Sequence, residues 1–390
     1  MTVPLALGYI RLVDAAPVVI ARELGFAEEE GLALDLRAAP SWSTLRDLLA
    51  LEQIDAAHML GPVPVAMALG LGGLTTPLSV LSVLSVNGNV VGVSDALAER
   101  LRAVGGADFG DAAGTGAALV AAAERPLRIG VPFPFSMHAE LLYYWLNAVG
   151  LPAPQGISVR TVPPPLMAEA IAGGEIDAFC VGEPWGSVAV EQGVGELILP
   201  GSAIWAFAPE KVLAVRTAWA ETEDALAGRL LRAVWRAGRW LGDPAHLTIA
   251  AEILARAEYL DLAPDIVDRA LTGRLILSPR GESREVPAFV AFHAGAATFP
   301  WRSQAAWIGA QLASRAGLER TESMAKASAV FRPDLYRRHL RDTGAELPGA
   351  SSKVEGSLNR PTPAASESGR LFLPADVFFD RRIFDPDERE

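Results

Sequence analysis

Lysine is scarce in this chain: of 34 Lys and Arg residues, only Lys211, Lys326 and Lys353 are lysines. Lys211 stands in Ala208-Pro209-Glu210-Lys211-Val212-Leu213-Ala214-Val215, where a loop gives way to an apolar run. An ammonium is a compact, strongly hydrated point charge, and a guanidinium a wide planar fork. A small pocket for a tiny anion asks for the first shape, whereas a solvated surface position, the plainer reading of Lys211, asks for neither. Four further groups place polar or aromatic side chains at the start of a helix: Ser41-Trp42, Asn87-Gly88-Asn89, Ser136-Met137-His138 and Gly182-Glu183-Pro184-Trp185. Ligands of open α/β sheets gather where strands end and helices begin. There the free N–H groups and the positive dipole end favour an anion. Taken singly, Trp42 suits a core aromatic, His138 a helix cap or surface residue, and Asn89 after Gly88 a turn former. Cys180, between Phe179 and Val181, reads as a buried strand residue rather than a nucleophile.

Strands and helices must position these groups. Leu5–Ile10 reads as a first strand, Val18–Leu24 as a helix that starts at Pro17 and stops at Gly25, and Leu32–Leu36 as the next strand. Ser41 or Ser43 caps a helix running through Leu51. Ile54-Asp55-Ala56-Ala57-His58-Met59 then runs into Gly61-Pro62, and Ile176-Asp177-Ala178-Phe179-Cys180-Val181 runs into Gly182-Glu183-Pro184. Each copy follows an amphipathic helix, Thr44–Leu51 or Leu166–Ala172, and ends on a proline placed to start another. Two α/β lobes of related plan account for the repeat; a chance likeness of short apolar strands is the competing explanation. Beyond Arg216 the pattern is helical, over Asp224–Leu241, Thr248–Ala257, Pro264–Leu271 and Gln304–Ala313. Residues 345–370, rich in Ala, Ser, Pro and Gly, read as a flexible linker. The closing aromatics Phe372, Phe378, Phe379 and Phe384 predict a segment that docks.

The bulk numbers exclude several classes. With 390 residues, 51% of them hydrophobic, the chain can bury a large core. A formal net charge of −12 without a long basic stretch lacks the footprint of a nucleic-acid binder. A single cysteine excludes an intrachain disulfide. No apolar run reaches the roughly 18 residues that a membrane span needs. No cationic region or cleavage site precedes the first strand, so the expectation is a chain that stays in the cytoplasm. Nucleophile–base pairing, a Walker-type loop (Gly110–Gly116 lacks its lysine) and metal-ligand spacing among the five histidines are missing. The expectation is a binding protein with no catalytic residue, cofactor or metal.

Several strings resemble the nitrate/bicarbonate-binding proteins of the NrtA/CmpA family: Ala39-Pro40-Ser41-Trp42, Ile54 to Leu60, Val162-Pro163-Pro164-Pro165-Leu166-Met167, Phe179 to Trp185, Pro209-Glu210-Lys211, Ala297-Thr298-Phe299-Pro300, Phe378-Phe379-Asp380 and Phe384-Asp385-Pro386. The resemblance implies a type II periplasmic-binding-protein-like fold, two α/β lobes joined by a hinge with a ligand cleft between them. On that plan residues 1–88 and 216–344 form one lobe and 89–215 the other, followed by the linker 345–370 and a docking segment 371–390. It implies an anion pocket built from Trp42, His138 and Lys211, with a polar amide at Asn89 and with Gly182 and Glu183 at its edge. Nitrate offers only acceptors, which suits the Lys211 ammonium and backbone N–H groups near Gly182; bicarbonate carries an O–H and needs an acceptor. Bicarbonate-type relatives put an acidic residue in place of the lysine, and this chain does not. Glu183 is expected to brace Lys211 or its loop, because a carboxylate facing nitrate would repel it. With no leader in view, the resemblance points to the cytoplasmic NasS-type nitrate/nitrite sensors, whose partner is a NasT-type RNA-binding antiterminator. The alternative is the substrate-binding subunit of a nitrate (or bicarbonate) ABC transporter whose leader is absent.

Overall fold

The computed structural model describes residues 2–124 and 126–388. Ten strands carry its plan: β1 (Val3–Tyr9), β2 (Leu32–Ala38), β3 (Ala56–Leu60), β4 (Leu78–Asn87), β5 (Asn89–Ser94), β6 (Leu127–Val131), β7 (Ile157–Thr161), β8 (Ala178–Gly182), β9 (Gly195–Pro200) and β10 (Pro209–Arg216). One sheet runs β4-β10-β3-β1-β2, with the short strand Val290–Ala291 added beside β4; the other runs β7-β6-β8-β5-β9. The two are built alike. In each, three parallel strands (β2-β1-β3 and β7-β6-β8) are followed by one antiparallel strand, β10 or β5. The repeated sequence unit occupies the same place in both, as β3 and β8, each buried at all five positions. Such strands lie inside a sheet covered on both faces, which is why they read as unbroken apolar runs.

The chain passes between the sheets at β4–β5 and again at residues 201–208. At the first crossing Asn87 and Gly88 both take positive φ, 59° and 93°. The crossings are tied together: Ala208 carbonyl accepts from Asn87 N–H at 2.9 Å, and the Asn87 amide donates to Ala206 carbonyl at 2.9 Å. The sequence boundary at residue 215 differs from sheet membership by one strand. Residues 209–215, assigned by sequence to the second lobe, lie on β10, which pairs with β3 and β4 of the first sheet. An apolar strand leading into helices looks the same whichever sheet receives it.

Four of the helices bring side chains to the pocket or to the contacts between the lobes: α1 (Trp42–Ala50), α2 (Met137–Ala148), α3 (Trp185–Glu191) and α4 (Arg302–Ala316). Ser41 and Ser136 cap α1 and α2, each hydroxyl accepting an N–H at 3.2 Å; such caps contribute about 1 kcal/mol. Residues 345–370, expected as a flexible linker, are instead packed along the surface. Leu347 and Glu355 are buried, and the Glu355 carboxylate accepts from Ser303 Oγ at 2.6 Å and pairs with Lys353. Composition suggested mobility, but a few buried pairs suffice to hold an irregular segment. The segment beyond inserts Phe378 against Trp205, with ring centroids 4.7 Å apart, and against Tyr144 at 5.2 Å. Tyr144 Oη donates to Asp380 at 2.8 Å.

Candidate functional site

Lys211 lies wholly buried between the sheets. Its ammonium sits 2.7 Å from Asp14 Oδ2 and 3.0 Å from Glu210 Oε1. Neighbours on a regular strand point to opposite faces, so Glu210 and Lys211 should not meet. The pairing of β10 with β4 slips between Pro209 and Lys211 and again between Lys211 and Val212. A bulge of this kind re-aims side chains, and here it turns both ionisable groups into one pocket.

The rest of the site comes from both lobes. Trp42, the first residue of α1, holds its ring 5.6 Å from the Lys211 ammonium, within cation–π range. Its ring centroid is 5.8 Å from that of His58 on β3. His58 Nε2 lies 2.9 Å from Asp14 Oδ1. From the second lobe, His138 near the start of α2 places Nδ1 3.1 Å from Glu210 Oε1, out of line for a hydrogen bond. Asn89, opening β5, sets its amide beside the Glu210 carboxyl. Gly182 ends β8 facing the pocket, since a Cβ there would lie 3.5 Å from His138 Nε2 and 3.6 Å from Asp14 Oδ2. Gly201 gives Asn89 its room, because a Cβ at that position would stand 1.7 Å from Asn89 Oδ1.

Sequence reasoning thus named Trp42, Asn89, His138, Gly182 and Lys211, and the fold brings all five together. Glu183 differs. Its carboxylate accepts from Ser187 N–H at 3.1 Å, holding the first turn of α3, and does not brace Lys211. Of the backbone N–H groups near Gly182, expected to suit the anion, that of Glu183 donates instead to Gly88 carbonyl at 3.0 Å. The groups that brace Lys211 are Asp14 and Glu210, and neither was foreseen, nor was His58. Asp14 lies nearly 200 residues from Lys211, and Glu210 stands in the string where a loop gives way to an apolar run, so no local pattern joins either to the pocket. His58 carried a usable signal, being the one ionisable side chain in the apolar string Ala56–Leu60.

The electrostatics follow from burial and pairing. Burial opposes ionisation of Asp14, but the Lys211 ammonium and the His58 hydrogen bond hold its carboxyl at about 2. Burial pushes Glu210 up to about 7, with Lys211 opposing and Asp14 assisting. Burial also raises Glu183 to about 7 against its bonds from Ser187. Burial would lower Lys211, yet its two carboxylates raise it. Burial and then the Lys211 charge drive His138 well below the ordinary histidine range, and burial lowers His58 despite Asp14. Lys211 is therefore not a free cation, and burial favours the neutral form of both histidines. Around it, several buried atoms have no hydrogen-bond partner among the described residues: Trp42 Nε1, both polar atoms of the Asn89 amide, both His138 ring nitrogens, His58 Nδ1 and Glu210 Oε2. Orphaned polar atoms each cost about 1–3 kcal/mol when buried. Such a ring offers donors, Trp42 Nε1–H, the Asn89 NH2 and one ring N–H of His138, beside acceptors at Asn89 Oδ1, Glu210 Oε2 and the other ring nitrogen, and is complementary to a small polar ligand.

Contacts between the lobes close over this site. Val13 N–H donates to Glu183 carbonyl at 3.0 Å, and Trp185 Nε1 to Arg11 carbonyl at 2.7 Å. Arg315 of α4 grips the buried Glu140 of α2 with both guanidinium nitrogens. Among the described residues no group of three or more His, Cys, Asp or Glu is placed to hold a metal ion, and no helix is long and apolar enough to cross a membrane.

Residues 2–255 match the NMT1-like family. The chain belongs to the NMT1-like family. Within it, this NMT1-like chain is 30% identical over 399 residues to the nitrate/nitrite binding protein NrtA of Synechococcus elongatus, covering 98% of this chain and 83% of the relative. It is 31% identical over 380 residues to the nitrate import ATP-binding protein NrtC of Synechocystis sp., covering 96% of this chain but 56% of the relative, so it spans little more than half of that protein. Among solved structures, the periplasmic nitrate-binding protein NrtA from Synechocystis PCC 6803 superposes with a TM-score of 0.84 at 27% identity, covering 99% of this chain and 96% of the other. The alkanesulfonate-binding protein SsuA from Xanthomonas axonopodis pv. citri, with a TM-score of 0.52 at 18% identity over 69% of this chain and 83% of the other, shares the fold alone. The NrtA/CmpA resemblance and the periplasmic-binding-protein fold both hold.

Proposed function

We propose that the chain binds a small planar oxyanion of the nitrate and nitrite class between its lobes, and that it works as a cytoplasmic sensor. The observation that carries the binding is the cluster of orphaned donors at Trp42, Asn89 and His138 around the buried Lys211. Each donor comes from a different element, and the two lobes contribute both sides, so the anion would tie the lobes together. The names of the NrtA relatives support nitrate and nitrite as ligands. An anion with four heavy atoms at about 1.5 kcal/mol each gains roughly 6 kcal/mol, a Kd on the order of tens of micromolar. Calorimetry with nitrate, nitrite and bicarbonate on one preparation tests it. Saturable binding of an oxyanion supports the reading, and no binding of any of the three overturns it.

In the sensor reading, closure on the anion removes a surface that an antiterminator protein of the NasT type recognises in the open form. The linkage requires only that the partner prefer one lobe arrangement and the anion the other. The purified complex should separate by size exclusion once nitrate saturates it, and a complex that stays intact contradicts the mechanism. A second reading, the substrate-binding subunit of a nitrate transporter, is favoured by the near-complete superposition on periplasmic NrtA. In that case the chain binds nitrate as well but pairs with a permease rather than an RNA-binding protein.

A further inference from the structure

Glu210 is a carboxyl group where an acceptor-only anion would be repelled. Its Oε1 accepts from the Lys211 ammonium at 3.0 Å, and its Oε2 is buried without a partner beside the orphaned donors. The groups facing it are Lys211 on its own strand, Asp14 from the turn after β1, His138 from α2 at 3.1 Å, the Asn89 amide from β5 and the Cys180 thiol from β8. His58 from β3 stands behind, bonded to the other oxygen of Asp14. The two carboxyls differ in what surrounds them. Asp14 is held as a carboxylate by both a lysine and a histidine. Glu210 has one full partner and one oxygen left over.

A nitrate oxygen against an ionised Oε2 would set two acceptors face to face, with no hydrogen between them. Placing one proton between them turns the clash into a charge-assisted hydrogen bond. Bicarbonate carries that hydrogen already. We propose that the pocket takes its oxyanion together with one proton lying between the ligand and Glu210: bicarbonate brings it, whereas nitrate or nitrite draws it from solvent onto Oε2 and returns it on release. No other bond forms or breaks. This inference rests on the oxyanion reading and makes Glu210 the residue that sets which anion is preferred at a given pH. It also revises the sequence expectation that a lysine at 211 disfavours bicarbonate, because the required acceptor stands next to the lysine. The position of Glu210 at about 7, set by burial against Lys211, places the exchange in the physiological range.

The test is calorimetry on the full chain in buffers of different ionisation enthalpy, with nitrate and bicarbonate as probes. At a pH about one unit above that of half-protonation, nitrate should take up close to one proton and bicarbonate none, with nitrate Kd rising about tenfold per further pH unit. Glu210→Gln should bind nitrate without proton uptake and with a flat pH profile. Nitrate binding by the native chain without proton uptake in alkaline buffer, or uptake that persists in Glu210→Gln, overturns the inference and leaves the oxyanion reading standing. If the variant does not fold, the native chain decides alone, a flat nitrate profile from about pH 6 to 8.5 counting against the proposal. A chain that binds none of the three anions even in acidic buffer overturns the oxyanion reading and this inference with it.

Discussion

Replacing Lys211 by methionine removes the lysine that, among the described residues, pairs with both buried carboxyls, Asp14 and Glu210, while nearly preserving volume. Asp14 is drawn from 3.8 to about 2, despite burial, chiefly by that ammonium and the His58 bond. At about 1.4 kcal/mol per pH unit this corresponds to roughly 2–3 kcal/mol of folded-state stability. Because its folded value is depressed, the contribution is full above the unfolded value of 3.8 and is lost as pH falls through about 2. Glu210 adds to the cost in the variant above its native position at about 7, since without Lys211 its carboxyl is pushed further up and resists the ionisation that the native and unfolded chains undergo there. Breaking a buried pair by deleting one partner costs about 3–5 kcal/mol, and Lys211→Met should fall in that range in mildly alkaline buffer. The loss should shrink in mildly acidic buffer, where Glu210 is protonated in both proteins. Urea unfolding at the two pH values measures the difference, and titration with nitrate should show binding lost. A variant within about 1 kcal/mol of the native protein in alkaline buffer would refute the ion network, and retained nitrate binding would remove Lys211 from the site.

Three further substitutions probe the supports. Gly201→Ala drives a Cβ to 1.7 Å from Asn89 Oδ1; overpacking of this kind costs about 1–3 kcal/mol, and anion affinity should fall with the melting temperature. Unchanged values of both would show that Asn89 has another place to go. Arg315→Met leaves the buried Glu140 without its bidentate partner. The free protein should then expand in small-angle scattering, and an unchanged radius of gyration would mean that this pair does not hold the lobes together. Phe378→Ala empties a site between Trp205, Trp307 and Tyr144, with an expected loss of about 3–5 kcal/mol. Thermal unfolding within a degree or so of the native protein would show that the C-terminal segment is not part of the folded core.

Much of the architecture was legible because burial and polarity repeat along the chain. The two copies beginning at Ile54 and Ile176 became equivalent strands β3 and β8, and Ser41 and Ser136 capped the helices that carry Trp42 and His138. The pocket's charge balance was not legible. Strand alternation puts Glu210 and Lys211 on opposite faces, and only the slipped pairing with β4 brings them together. Asp14 reaches Lys211 across nearly 200 residues of chain, a contact that no local pattern announces. The tail misled for a related reason. Residues 345–370 look mobile by composition, yet Glu355 and Leu347 fix them through contacts made elsewhere in the fold.

Crystallography of the chain grown with nitrate examines the pocket most directly. The account predicts the anion within hydrogen-bond distance of Trp42 Nε1, the Asn89 amide and His138, with the Lys211 ammonium and Glu210 beside it. An anion bound elsewhere, or a pocket from which nitrate is absent at saturating concentration, would contradict it.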